Sequence, residues 1–333
     1  MNLKINPESN IPKYQQIADG LIGLIEAGVL KVGDKAPSID TISKSNKVAK
    51  ETVVQAYRHL KSNGIIESSE KRGFYIQTNV TNKRWRVLVL FNVMNPSKEI
   101  IYKTIVNALG DRAHIELFFH NYNFEMFENI VKSKANMFHY YIIMPHFNPE
   151  SHKVLELIPP EKLLVLDRPL LHPISGASAV YQDFKADVFD ALMSQKDRIL
   201  KYKQIIVLFP KGKGLPTEIA DGIKLFGTKN KIPVQVAAEV QAKMLAPDTL
   251  FITLTDEILI GLIELQQQSK LRIGKGIGII SYNENPLKRI LAGGIATLTS
   301  DFEKMGRTAA ECIINKSTIV TRNPFYLILR NSL

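Results

Sequence analysis

The chain has 333 residues and a formal net charge of +11, with a single cysteine. That length exceeds one ordinary core and predicts two or three folding units. One cysteine, Cys312, excludes an intramolecular disulfide and fits a reducing compartment, where it fills core on an apolar helix face. No run approaches the roughly 18–20 apolar residues of a membrane span, and MNLKINPESN has no apolar export core, so a cytoplasmic protein is expected.

Pro12 stands at a helix entrance, and Ile17, Leu21, Leu24 and Ile25 recur at helical spacing, predicting a first helix over about 13–27 that Gly28 ends. After a turn with Gly33 and Pro37, Ser38 is a natural N-cap for a short helix reaching Ser45. The tight turn SNKV leads to a third helix from Ala49 to about Ser62, closed by Asn63-Gly64. Its buried stripe is Val53, Ala56, Tyr57 and Leu60, and its other face carries Lys50, Thr52, Gln55 and Arg58. Ile65–Glu67 and Phe74–Ile76 read as two short strands joined by SSEKRG, with Gly73 in the turn.

Three helices, a basic face and a two-stranded wing put basic and small polar residues where a protein would meet DNA, although charge alone fits a solvated face as well. The second helix of such a pair enters the major groove with its first residues at base edges. Lys50, Thr52 and Gln55 are therefore the candidates for base contact. Lys35, Ser38 and Lys47 are candidates for the backbone, and the wing tip Lys71, Arg72 and Gly73 for the adjacent groove. Residues 1–83 hold 12 Lys/Arg against 8 Asp/Glu, so positive charge is spread over both parts of the chain instead of marking one.

PKYQQIADGL, GVLKVGDK with its following PS, VAKETVVQAYRHLKSNGII and KRGFYI together resemble the winged helix-turn-helix domain of the GntR family of bacterial transcription regulators. The resemblance implies operator DNA as partner. It also marks a departure. The family usually has an arginine two residues after the PS pair, where this chain has Asp40. An aspartate there either orients a neighbouring lysine or accepts from a cytosine amino group.

TNVTNK (78–83) reads as a linker. Beyond it, apolar strand runs alternate with helical stretches: 87–92, 115–121, 140–146, 163–167, 179–184, 205–210, 234–239, 249–254 and 276–283 as strands. Helices are expected near 97–110, 124–133, 151–157, 185–200, 216–229 and 256–269. Such alternation predicts parallel sheets covered on both faces, in two lobes. LLVLDRP, AVYQDFKADVFDAL, TLTDEILIGLIELQ, GIGIISYNENPLKRIL and IATLTSDFEKMGRTAAECII, in this order, are similar to the effector domain of the LacI/GalR repressors. The expected fold is thus α/β: an N-terminal winged helix-turn-helix (1–77), a linker (78–84) and a two-lobed, periplasmic-binding-protein-like effector and dimerisation domain (85–333). This is the build of the arabinose-repressor subgroup, whose members answer to sugars such as L-arabinose or L-fucose.

In doubly wound sheets ligands bind beyond the carboxyl ends of the strands. The candidates there are Asn92, Asn95, His146, Asn148, Asp167, Arg168, Asp183, Lys211, Asp256 and Asn283. The resemblance implies an arginine near Ile219 and an aspartate at Asn283, and this chain has neither. FPKGKGLP (209–216), with Lys211 and Lys213, fits a phosphate at a helix start, so a phosphorylated or acidic effector stands beside a neutral sugar. A DNA-binding dimer that has lost its ligand is a third reading. GKGIG (274–278) precedes its strand instead of following one and is no dinucleotide fingerprint. There is no HExxH, CxxC or GxSxG spacing, so no metal, cofactor or catalytic residue is expected, and the chain reads as a homodimeric regulator, not an enzyme.

Overall fold

A computed structural model describes residues 3, 5–6, 12–69, 73–77, 84–210, 212 and 214–333. Its contacts divide into two units, Met1–Trp85 with Asp111–His114, and Arg86–Gly110 with Ile115–Leu333. Lys71, Arg72, Lys211 and Lys213 lie outside the described residues, as does the expected linker except Arg84.

In the first unit α1 (Lys13–Glu26) follows Pro12 and buries Ile17, Ala18, Leu21 and Ile25. α2 (Ile39–Asn46) is capped by Ser38, whose Oγ accepts from the Thr41 amide at 3.1 Å. Lys47 turns the chain in the left-handed region, and α3 (Lys50–Ser62) begins three residues later. Its stripe of Val53, Ala56, Tyr57 and Leu60 closes a core with α1 and with β1 (Ile66–Ser69) and β2 (Gly73–Ile76), an antiparallel pair. The Tyr57 hydroxyl donates to the Pro37 carbonyl at 2.5 Å, tying α3 to the turn before α2.

The second unit holds two six-stranded sheets. The first uses β3 (Trp85–Phe91), β4 (Ala113–Phe119), β5 (Tyr140–Ile143), β6 (Leu163–Asp167), β7 (Ser178–Tyr181) and β13 (Val320–Arg322), in the order β13-β7-β6-β5-β3-β4. The second uses β8 (Gln204–Leu208), β9 (Val234–Ala237), β10 (Thr249–Thr253), β11 (Ile277–Tyr282), β12 (Ala296–Ser300) and β14 (Phe325–Ile328), in the order β14-β12-β11-β10-β8-β9. β3, β5, β6, β7 and β13 run parallel, as do β9, β8, β10, β11 and β12, and β14 is antiparallel to β12. Between the strands come α4 (Pro96–Leu109), α5 (Phe124–Lys134), α6 (Ser151–Leu155), α7 (Phe184–Met193), α8 (Lys196–Ile199), α9 (Glu218–Asn230), α10 (Asp256–Gln267) and α11 (Phe302–Asn315).

The inner strands of each sheet bury near-continuous apolar runs, such as Leu163–Leu166 of β6 and Leu250–Ile252 of β10, while the edge strands β4, β9, β13 and β14 do not. Two expectations are corrected. The helix near 185–200 is two helices, because Gln195 leaves helical geometry and the Ser194 hydroxyl bonds back to Ala191 O at 2.7 Å. The strand read as 140–146 stops at Ile143, although Met144 and Pro145 stay buried: the apolar run outlasts the ladder.

α7 and α9 approach so closely that a Cβ on Gly222 would sit 2.5 Å from the Lys185 carbonyl oxygen. Gly222→Ala is expected to lower stability by about 1–3 kcal/mol, read as a lower urea midpoint with unchanged slope. An unchanged midpoint would show that the two helices part without cost.

The chain passes between the sheets after β7, after β12 and after β13. Asn323, 2 % exposed, joins the three passages. Its amide donates to Tyr181 O at 2.7 Å, and its carboxamide donates to Ser300 Oγ at 2.8 Å and Asp301 O at 3.0 Å. Beside it Arg322 Nε meets the buried Asp187 at 2.5 Å and its Nη2 meets Asp190 at 3.0 Å.

Candidate functional site

On the first unit, Lys35, Ser38, Lys47, Lys50 and Gln55 are exposed and Thr52 is half-buried. Lys50 opens α3, where its ammonium lies 2.5 Å from Asp40 Oδ1 in the first turn of α2. The hydrogen bond and charge of Lys50, with Lys44 nearby, hold the Asp40 carboxyl below its usual range. Asp40 therefore orients a lysine of the candidate recognition helix, the first of the two roles open to it. Lys35 bridges to Tyr75 of the wing, and its stem covers Gly73, where a Cβ would lie 3.1 Å from Lys35 Cε. Gly73 has φ +103°, so a side chain there is strained as well as crowded.

On the second unit the carboxyl ends of the first sheet gather a buried polar group. Asn92, fully buried after β3, faces the Tyr122 phenol, and neither of its side-chain atoms reaches hydrogen-bond geometry. His120, also fully buried, sets Nε2 3.0 Å from the Met144 carbonyl. Burial drives its pKa down to about 4; the carbonyl resists, and His146 and Lys98 add to the fall. A neutral ring donating from Nε2 leaves Nδ1 as an acceptor, and Nδ1 has no partner among the described residues.

His146, three residues past the end of β5, and Asp167, the last residue of β6, both sit at positive φ, 58° and 74°. His146 Nε2 is 3.2 Å from Asp167 Oδ2, within ion-pair distance without hydrogen-bond alignment. The other Asp167 oxygen accepts from the Gln182 carboxamide. Burial pushes the Asp167 carboxyl up, but His146, Lys98 and Gln182 together outweigh it and keep it an anion. Arg168 lies over Phe184 at 5.7 Å, and its nearest carboxylate is Glu218 of α9 at 3.9 Å. From the second sheet comes Tyr282, whose hydroxyl is buried without a partner among the described residues. Burial, then the charges of Asp167 and Asp187, keeps the Tyr282 phenol protonated.

The structure thus brings Asn92, His146, Asp167 and Arg168 together. The other candidates stand elsewhere or do other work. Asn95 caps α4 through the Lys98 amide at 2.9 Å, and Asp183 caps α7 through the Ala186 amide at 3.1 Å. Asn148 holds the loop at Pro169 and Leu171. Asp256 pairs with Lys288 at 2.8 Å, and the Asn283 carbonyl accepts from the same lysine at 2.6 Å. Ile219 is core. Lys98, His120, Tyr122 and Gln182 were not nominated from sequence. His120 and Gln182 follow apolar strand runs directly, which is the one signal that marks them. Among the described residues no three His, Cys, Asp or Glu side chains are grouped to hold a metal, and no helix is long and apolar enough to cross a membrane.

The sequence profile "Bacterial regulatory proteins, gntR family" matches residues 13–76. The HTH-type transcriptional repressor YtrA of Bacillus subtilis is 32% identical over 106 residues, which are 32% of this chain and 78% of that protein. The HTH-type transcriptional regulator Rv1152 of Mycobacterium tuberculosis is 30% identical over 74 residues, 22% of this chain and 61% of that protein. Among solved structures, the Lac repressor bound to ONPG in its repressed state superposes with TM-score 0.62 at 14% identity, covering 86% of this chain and 92% of that one. A LacI family transcriptional regulator from Arthrobacter in complex with lactose gives TM-score 0.57 at 16% identity, covering 75% and 99%. At such identities the likeness is one of fold. The chain is a DNA-binding transcription regulator that belongs to the GntR family, with a two-lobed unit of the Lac-repressor fold.

Proposed function

We propose that this regulator is a cytoplasmic homodimeric repressor of sugar-utilisation genes, released from its operator by a small sugar-like effector of the L-arabinose or L-fucose kind. Residues 1–77 bind DNA, 78–84 link, and 85–333 bind effector and dimerise. The observation that carries this reading is the constellation of Asn92, His146, Asp167 and Gln182 at the strand ends, with buried polar atoms left unpartnered among the described residues. Buried groups without partners cost about 1–3 kcal/mol each, and a ligand with several hydroxyls satisfies them. The same orphan atoms argue against a dimer that has lost its ligand, and nothing in the reading calls for catalysis or a cofactor. Effector closing the two lobes shifts how the protomers pack and moves the DNA-binding units off their half-sites; the coupling required is about 1–3 kcal/mol and reciprocal.

The test is titration of the operator complex with a sugar panel. Asp167→Asn, which keeps shape and removes charge, is expected to weaken the effector by about tenfold or more and leave effector-free DNA affinity unchanged. Equal response in both proteins would remove Asp167 from the site. On the DNA side, Lys50→Ala is expected to lower operator affinity by about 1–3 kcal/mol if it reads a base. Asp40→Ala, by removing an anion from the DNA-facing surface, is expected to tighten binding and steepen its salt dependence. Unaltered affinity in both variants would displace α3 from the groove.

A further inference from the structure

We propose that the effector carries an anion, a carboxylate or phosphate, held by Lys98 with Arg168 beside it, so that the natural ligand is an acidic or phosphorylated sugar. This rests on the effector site proposed above and puts an anionic sugar in place of the neutral pentose or deoxyhexose as the ligand that site selects.

Lys98 is the third residue of α4 and only 8 % exposed. Its backbone amide is taken by the Asn95 cap, but its ammonium makes neither an ion pair nor a hydrogen bond among the described residues. The charge nevertheless acts on Asp167 and on His120, which places it against the polar group at the strand ends. Asp167 feels that charge, but His146 and Gln182 lie nearest its two carboxylate oxygens, and no carboxylate comes within ion-pair distance of the Lys98 ammonium among the described residues. Arg168 repeats the pattern: its Nε is buried without a partner and its nearest carboxylate, the half-exposed Glu218, is 3.9 Å away.

The chain also contains a buried lysine that serves structure, and it looks different. Lys288, 2 % exposed, gives its ammonium to two carbonyls and a carboxylate, all within 2.8 Å. Lys98 has none of these. An ammonium on a largely buried side chain with no partner in ion-pair reach is stabilised when an anion arrives beside it. A guanidinium and an ammonium that both border Asp167 suit the oxygens of a carboxylate or phosphate, while Asn92 and Tyr122 are placed for hydroxyls on the same ligand.

The experiment compares the full chain with its Lys98→Met variant by thermal shift and calorimetry. Probes are D-glucuronate, D-galacturonate, D-gluconate, D-glucose 6-phosphate and inorganic phosphate at millimolar concentration, beside D-glucose, D-galactose, L-arabinose and L-fucose. Without ligand, Lys98→Met is expected to raise the melting temperature; a fall would show that Lys98 is structural, like Lys288, and overturn the proposal. At least one anion is expected to stabilise the parent protein about tenfold more tightly than its neutral counterpart, with that advantage lost in the variant. The uronate and phosphate arms tell the two anions apart. A neutral sugar that binds both proteins alike, or no response to any anion, also overturns the proposal. An anion that binds while leaving the operator complex intact would sink the release mechanism and keep the ligand class.

Discussion

Replacing Lys288 with methionine is expected to destabilise the second unit by about 2–4 kcal/mol, a fall of roughly 5–10 °C in melting temperature. The side chain is 2 % exposed, and its three N–H groups meet Tyr282 O at 2.8 Å, Asn283 O at 2.6 Å and Asp256 Oδ1 at 2.8 Å. Burial lowers its pKa while the Asp256 pair resists. Methionine fills the same space with no donor, so two carbonyls at the end of β11 lose their partner. Asn283 sits there at φ 60°, a conformation that the lysine holds in place, and effector affinity is expected to fall with stability. Asp256→Asn is the contrast. That carboxylate is 54 % exposed, and its loss is expected to change stability by less than about 1 kcal/mol. A Lys288→Met midpoint equal to the parent's would mean that solvent replaces the ammonium at both carbonyls.

The second large effect is a pH dependence set by His120. Its folded pKa is about 4 against an ordinary 6.5, so between those values the unfolded chain holds a proton that the native state refuses. Stability therefore rises with pH through this window: the contribution is complete above pH 6.5 and lost as pH falls towards 4. The integrated difference is about 3 kcal/mol. Asp187 works in the opposite sense. Burial lifts it to about 6 despite Arg322, which gives stability present below the ordinary carboxylate range and lost as pH rises through 6. The two slopes oppose each other in the parent protein and must be separated by mutation. His120→Phe keeps the ring contacts with Phe127 and Phe147 and leaves Asp187 untouched. Urea unfolding of parent and variant from pH 4 to 7 should give a difference in stability that changes by about 3 kcal/mol across the window. A constant difference would show that His120 is protonated in the native state or reached by water. Asp167, held low by its partners, enters only at more acid pH.

What was legible in the sequence follows from how locally each feature is encoded. The first unit's helices fall within about a residue or two of expectation, because Pro12, Ser38 and Asn63-Gly64 punctuate apolar stripes whose spacing is the helix itself. The strand cores of the second unit are equally plain. Strand ends are not: Met144 and Pro145 remain apolar after the ladder stops, so composition overshoots geometry. The same limit governs the site. Asn92, His146, Asp167 and Arg168 are found by a positional rule about strand ends, whereas Asn95, Asp183 and Asp256 satisfy that rule and serve as caps or ion pairs. Lys98 carries no one-dimensional mark at all, and Gln182 only its place directly after a strand run. Their burial depends on which strands are neighbours, and the order β13-β7-β6-β5-β3-β4 includes a strand more than a hundred residues later in the chain.

That strand order bears on how the protein is made. The core of the first unit draws on residues no later than Ile76 and is available early in synthesis. Neither large sheet is complete until β13 and β14 have left the ribosome, since Val320–Arg322 closes the edge of one and Phe325–Ile328 the edge of the other. At elongation rates of about 5–20 residues per second, more than ten seconds separate the two events. Under the proposed function, every newly made copy passes through a stage in which the DNA-binding unit can fold before the unit assigned to the effector is complete. If that function holds, a nascent chain stalled before Val320 would bind DNA without being able to respond to an effector.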